Sequence, residues 1–243
     1  MSSVTSNAVV RQARAFVRVA GPDACDYLQR MVSNDVAALA PGQSCDALLL
    51  TAKARVIAPL RVLRRADDDF LLSTEPELGD VVRMQLVRAR FAAKAEIEPE
   101  EHEAWLALDG DEILDERPAG EEVDEDAYER WRIEARVPRW GREIDDQVLP
   151  AEAGLTETHV SFSKGCYPGQ EPIARQHYRG KVNRRLRLLR LDGSAQRGAE
   201  IVHDGKVVGR ITSVAGDVAL GYVRSAVPDD AELVIGAARA RLD

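Results

Sequence analysis

The feature that most restricts the fold lies at the C-terminal end. There the chain becomes a series of short runs separated by glycine turns: "HDGKVVGRITSV", "AGDVALGYV" and "AELVIGAARARL". Just before them, Arg185, Arg187 and Arg190 interleave with Leu186, Leu188, Leu189 and Leu191, the pattern of a half-buried strand with a wet arginine face. Short, evenly spaced strands of this kind protect their edges by closing on themselves, so residues 181–243 are expected to form a small β-barrel.

The rest of the chain mixes periods. "AFVRVAG" reads as a strand, and Gly21-Pro22-Asp23 opens a helix over "PDACDYLQRMV". "CDALLLT", "ARVIAPLRVLRR" and "FLLST" read as strands. A helix begins at Pro76, with Leu78, Val82, Leu86 and Ala89 on one stripe, and "AEIE" and "EAWLALDG" follow as strands. Residues 46–108 therefore predict an α+β unit with an antiparallel sheet. The acidic stretch "LDGDEILDERPAGEEVDED" is expected to be a solvated connector. "DEDAYERWRIEARV" is a helix whose acidic first turn suits the positive end of the dipole, with Pro138 as its stop.

Composition narrows the function classes. A net charge of −8 argues against a coat for nucleic acid, and no DNA partner is expected, although a local basic groove remains open. No apolar run approaches the roughly 20 residues that span a bilayer, so no membrane partner is expected. "MSSVTSNAVVRQAR" lacks the basic-then-apolar order of a leader, and Cys25, Cys45 and Cys166 form no CxxC pair. A cytoplasmic location follows as an expectation. The histidines at 102, 159, 177 and 203 are scattered, so no metal site is expected.

The stretch "KGCYPGQE" (Lys164–Glu171) asks for a chemical explanation. Gly165 and Gly169 allow backbone angles closed to other residues, and Pro168 fixes part of the bend. Cys166 then sits on a rigid turn close to Lys164, and a cationic neighbourhood favours a thiolate. Gln170 and Glu171 offer the amide and carboxylate that recognise an aminopyrimidine-like edge or order a loop. Two readings stay open on these grounds: a buried structural cysteine, or a cationic loop that binds an anionic or heteroaromatic ligand.

The longer run "KGCYPGQEPIARQHYRG" resembles the signature of the YgfZ-type folate-binding proteins, relatives of the glycine-cleavage T-protein, an aminomethyltransferase. "VAGPDACDYLQRMVSNDV", "TAKARVIAPLRVLRR" and "WRIEARVPRWGREID" resemble other segments of that family. The resemblance implies an α+β, three-lobed fold around a central hole. Two ferredoxin-like domains, the first interrupted by the second, precede a C-terminal barrel. On this sequence the domains would be 1–45 with 109–180, 46–108, and 181–243. It further implies tetrahydrofolate, or a one-carbon derivative, as cofactor. Iron–sulfur cluster enzymes, including a tRNA-thiolating one, or their assembly machinery would be the partners. Glu134 would hydrogen-bond the pterin and Tyr128 pack against the folate, while Lys164, Gln170, Glu171 and Arg175 complete the binding set around a functional Cys166.

One departure bears on activity. Where T-protein-like enzymes carry an aspartate pair, this chain has Ala58 and Pro59, neither of which accepts a proton, so glycine cleavage is not expected. Lys53 is kept, but Ala54 replaces the family's glycine, which predicts an altered turn. The alternative reading is a folate-dependent one-carbon transferase acting on an amine or RNA. A weaker one is an RNA- or protein-binding module using Arg184, Arg185, Arg187 and Arg190.

Overall fold

The computed structural model describes residues 7–108, 110, 112–180 and 182–243; the expectation about the first six residues, and the boundary positions 109 and 181, lie outside them. In chain order the elements are β1 (Ala8–Gln12), β2 (Ala15–Ala20), α1 (Ala24–Met31), β3 (Ser44–Leu50), β4 (Val56–Ala66), β5 (Asp69–Thr74) and α2 (Gly79–Ala89). There follow β6 (Glu96–Glu100), β7 (Ala104–Ala107), β8 (Glu112–Leu114), β9 (Glu121–Glu122), α3 (Glu125–Glu134), α4 (Thr156–His159) and α5 (Gln170–Arg179). The last six are β10 (Arg184–Asp192), β11 (Glu200–His203), β12 (Lys206–Ala215), β13 (Val218–Arg224), β14 (Leu233–Ile235) and β15 (Ala238–Leu242).

The five-stranded sheet runs β3-β4-β5-β2-β6, every neighbouring pair antiparallel. Alternate residues bury one face against α1 and α2: Val17, Val19, Leu49, Leu60, Val62 and Leu72 meet Leu28, Val82 and Leu86. The Tyr27 hydroxyl joins the helices by donating to the Leu86 carbonyl. Leu78, Val82 and Leu86 of the expected stripe are indeed buried, although Pro76–Leu78 is a 3-10 turn that leads into α2.

The sheet is wider than residues 46–108. β2 lies between β5 and β6, with Val17 opposite Leu72 and Pro99, so the ladder extends from residue 15 to residue 100. Its partners are 49 or more residues away, and no local signal announces the pairing. β1 belongs elsewhere, in a four-stranded sheet β8-β7-β1-β9. The first sheet is therefore inserted between β1 and β7, an interruption that begins earlier than the sequence suggests. The acidic connector also contributes β8, antiparallel to β7, and β9, parallel to β1. Phe16, Leu71 and Ala104 pack the two sheets together.

The barrel closes in the order β10-β13-β12-β11-β14-β15, with β15 returning to β10. α3 lies between lobes: Tyr128 enters the core of the four-stranded sheet, while Ile133 packs on Leu188, Val218 and Leu220 of the barrel. It ends before Pro138 is reached. Arg136 adopts φ 57°, its N–H donates to the Ile133 carbonyl, and Val137 N–H reaches the Arg132 carbonyl, a Schellman closure.

Candidate functional site

Lys164 is the anchor of the KGCYPGQE stretch. Its side chain is buried, and Nζ donates to the carbonyl oxygens of Val32 and Asn34, each at 2.7 Å. Burial lowers its pKa to about 8, against an ordinary 10.5. The ammonium also lies 5.4 Å from the centre of the Tyr167 ring. Around it Ser33 accepts from Ser161 N–H and donates its hydroxyl to the His159 carbonyl, so the loop after α1 and the loop before Cys166 form one stitched unit.

Gly169 hinges the stretch. Its φ is 85°, and a Cβ there would stand 2.7 Å from the Thr51 carbonyl oxygen and 3.1 Å from Ala54 Cα. Gly165 needs neither freedom: it has no positive φ and faces open space. What the sequence reads as a turn passes directly into α5, with Gln170 and Glu171 in its first turn and Pro172 at a position that lacks an intrahelical N–H bond anyway. Cys166 is exposed, between the buried Lys164 and the buried Tyr167. Glu171, Arg175 and Tyr178 share one face of α5 and line a concavity of about 530 Å³. A second, of about 490 Å³, lies between Lys53, Ala54, Leu149 and Arg175, so Arg175 separates the two.

Glu134 and Tyr128 stand on α3. Tyr128 is buried beside Ala8, Val10 and Leu108 and stacks on Trp131 at 5.9 Å and 22°. Desolvation raises its hydroxyl pKa. Glu134 is exposed; its Oε1 pairs with Arg130 at 3.1 Å and with Arg190 of β10 at 3.4 Å. The structure thus gathers Lys164, Cys166, Gln170, Glu171 and Arg175 on one loop and helix, and Tyr128 and Glu134 on another helix. Between α5, the segment after α3 and β10 lies a hollow of about 600 Å³, walled by Arg136, Glu152, Gln176, His177, Arg185 and Arg187. Its volume suits a small organic ligand.

The same helix carries a residue that the sequence reading passed over. Arg132 is fully buried and uses its guanidinium in every direction: Glu129 is gripped by Nε and Nη2, Glu143 accepts from Nη1 at 3.0 Å, the Val137 carbonyl from Nη1 at 3.2 Å, and Ser213 from Nη2 at 2.6 Å. Desolvation works against this charge, but the hydrogen bond to Glu129 and the attraction of Glu143 outweigh it and raise its pKa. Glu143, also buried, further accepts from the Ser213 hydroxyl and from Arg139 N–H. The available signal was position: Arg132 lies one turn beyond Tyr128, on the buried side of α3.

Other expectations find their places. Ala58 is buried in the main core, and the carbonyl of the half-buried Pro59 accepts from Thr74. Ala54 adopts φ 59°, so the turn keeps a glycine-type backbone despite its methyl group. Arg184 meets Glu152 at 3.1 Å, Arg187 meets Asp229 at 2.8 Å, and Arg190 meets Asp243 at 2.8 Å. Three of the four arginines there are paired with acids, which weakens the stretch as an RNA groove. His177 stacks on Phe162 at 4.0 Å, and His159 bonds the Thr158 hydroxyl. Among the described residues, no helix is long and apolar enough to cross a membrane.

These features define a class: an α+β, three-lobed, T-protein-like fold with a closed six-stranded barrel. Its architecture matches the glycine cleavage system aminomethyltransferase T from Bartonella henselae with a TM-score of 0.83, over 97% of this chain and 84% of that one, at 19% identity. Residues 183–243 match the family model described as the CAF17, C-terminal beta-barrel domain. In sequence the chain is similar to an aminomethyltransferase of Nostoc sp., 28% identical over 88% of this chain and 48% of that protein. It is 25% identical to the mitochondrial iron–sulfur cluster assembly factor IBA57 of Mus musculus, over 87% and 76% of the two chains. It is 27% identical to the tRNA-modifying protein YgfZ of Edwardsiella ictaluri, over 74% and 69%. The chain spans about half the length of the cyanobacterial aminomethyltransferases that it matches. The resemblance to YgfZ-type proteins therefore holds in sequence, and the fold is that of the aminomethyltransferase T neighbour.

Proposed function

We propose that this protein binds tetrahydrofolate, or a one-carbon derivative of it, in the cytoplasm and supports the assembly or repair of iron–sulfur cluster enzymes, tRNA-thiolating ones included. The observation that carries the proposal is the presentation of Cys166: an exposed thiol on a turn fixed behind by buried Lys164 and ahead by left-handed Gly169. A structural cysteine would be buried; this one is held outward by its neighbours. The IBA57 and YgfZ relatives point to the same role.

Two features support folate as the ligand. Both ion pairs of Glu134 use Oε1, and a carboxylate can accept parallel bonds from a pterin N–H and amine. The hollow of about 600 Å³ carries Arg136, two residues beyond Glu134, and Arg185 beside the acids Glu152, Glu157, Asp229 and Asp243; the two arginines are the groups there that would meet the acidic tail of folate. In this reading Gln170, Glu171 and Arg175 edge the approach to Cys166; Lys164, engaged by the Val32 and Asn34 carbonyls, fixes the loop instead of folate, and Tyr128, buried beside Ala8 and Val10, supports α3 from behind instead of packing on the ligand. When bound, tetrahydrofolate supplies a carrier of one-carbon units. What the chain contributes is the grip on the pterin, the orientation of the thiol and a surface for the client enzyme.

Calorimetric titration with tetrahydrofolate tests the binding. Heat and a thermal shift are expected for the natural chain, with affinity about tenfold lower in Glu134→Gln, the scale of one charge-assisted hydrogen bond. Cys166→Ser should bind folate normally yet fail to restore the activity of a cluster-dependent enzyme in cells that lack the protein. Neither heat nor thermal shift at millimolar folate would sink the reading.

A further inference from the structure

A surface remote from Cys166 remains unexplained by folate or thiol chemistry. On the outer side of α2 and the turn after it, Met84 is 57% exposed, Val87 43% and Phe91 92%. Met84 and Val87 stand about one turn apart on α2, and Phe91 follows in the turn just beyond the helix end, all within eight residues of chain. Single exposed apolar side chains are ordinary, but three large ones within eight residues, one of them almost wholly exposed, point to a recognition surface.

Phe91 is the informative member. Its backbone has φ 47°, a conformation that bulky residues rarely adopt, and the side chain projects into solvent. The turn is held firmly in that shape. Ala93 N–H donates to the Arg90 carbonyl at 3.0 Å, Arg90 Nη1 to the Ala95 carbonyl at 3.1 Å, and Lys94 N–H to Asp23 at 2.7 Å. Asp23 N–H in turn donates to the Lys94 carbonyl at 3.2 Å. Asp23, Arg90, Ala93, Lys94 and Ala95 thus fix the turn that presents the phenyl ring, which lowers the ordering cost of docking.

Charge identifies what docks. Arg83, Arg88, Arg90 and Lys94 lie within residues 81–95, "VVRMQLVRARFAAKA", of a chain whose net charge is −8; Asp80, just before them, pairs with Arg83 at 3.6 Å and leaves the basic excess at the Phe91 end. Arg88, Arg90 and Lys94 are exposed around the apolar side chains. We infer that the outer face of α2 is a docking surface for an acidic amphipathic helix of another protein, its apolar residues on Met84, Val87 and Phe91 and its carboxylates on Arg88 and Lys94. A symmetric pair of copies would set these cations against each other. An anionic bilayer would be repelled by the rest of the chain. The inference stands independently of folate binding.

Photo-crosslinking in the source cells tests it, with the full chain carrying Phe91→benzoylphenylalanine and, as control, Val234→benzoylphenylalanine on the barrel. Position 91 should give one hetero-adduct whose attached segment is acidic and apolar at helical spacing; position 234 should not. Arg88→Glu with Lys94→Glu should reduce that adduct at least tenfold at unchanged Tm, and Arg88→Gln with Lys94→Gln severalfold. Adducts only with a second copy, with lipid or with a basic segment would overturn it, as would no adduct or no response to charge reversal.

Discussion

Arg130 and Arg132 stand two residues apart on α3 and both hold glutamates, yet their side chains are 28% and 0% exposed. The outer pair system, Arg130 and Arg190 on Glu134, sits in water, where attraction is screened and each contact contributes little. The inner one, Arg132 with Glu129, Glu143 and Ser213, is sealed between α3, the segment after it and barrel strand β12. Similar chemistry serves opposite ends. The inner network fixes where α3 lies between the lobes, and so where the backbone of Glu134 is delivered. The outer one leaves the Glu134 carboxylate only loosely held and free to exchange partners with a ligand.

The largest effect should come from breaking the inner network. Arg132→Met leaves Glu143 buried and unpaired, and we expect a loss of about 3–5 kcal/mol in urea unfolding. Adding Glu143→Leu should return part of that loss, because the stranded charge is then gone. A cost of Arg132→Met near that of a surface substitution would show that the network does not lock the lobes.

Lys164 extends the comparison to a buried cation bonded to two carbonyl oxygens and set over the Tyr167 ring. Folded, it loses its proton near pH 8; unfolded, nearer its ordinary 10.5. Between those values the unfolded chain binds more protons, so the lysine's contribution to stability rises with pH across that window, and below it the full cost of the buried charge applies. The stability of the natural chain relative to Lys164→Met should therefore increase from pH 8 to 10.5. A flat difference would mean that the ammonium is better hydrated than its burial implies.

The barrel and the α2 stripe were legible because their signals are local: alternation, glycine turns and a four-residue period. So was the chemical oddity of KGCYPGQE, and with it the family resemblance. The missed features share a different origin. β1 finds its partners about ninety residues away, at 104–107, and nothing within "AVVRQ" announces them. α5 was hidden because a left-handed Gly169 and a first-turn Pro172 are also turn formers, and only contact with Thr51 and Ala54 decides the matter. Arg132 reads as a solvated helix residue until tertiary packing brings Glu143 and Ser213 to it. Ala54 shows the reverse error: a changed residue suggested a changed turn, yet the surrounding structure holds the alanine in the left-handed region.

The smallest expected effect completes the comparison at its outer end. Arg190→Gln removes one partner of Glu134 Oε1 and the partner of Asp243, but Arg130 stays at 3.1 Å, and all four side chains reach water. Nothing buried is stranded, so the loss of stability should remain below about 1 kcal/mol at low salt. In 1 M salt, where screening acts over about 3 Å, it should nearly vanish. The Arg132→Met loss should persist under the same conditions, because ions cannot enter the sealed network. If the Arg190→Gln loss exceeded about 2 kcal/mol, or ignored salt, Glu134 would be part of the structural lock. Its freedom to meet a pterin would then disappear.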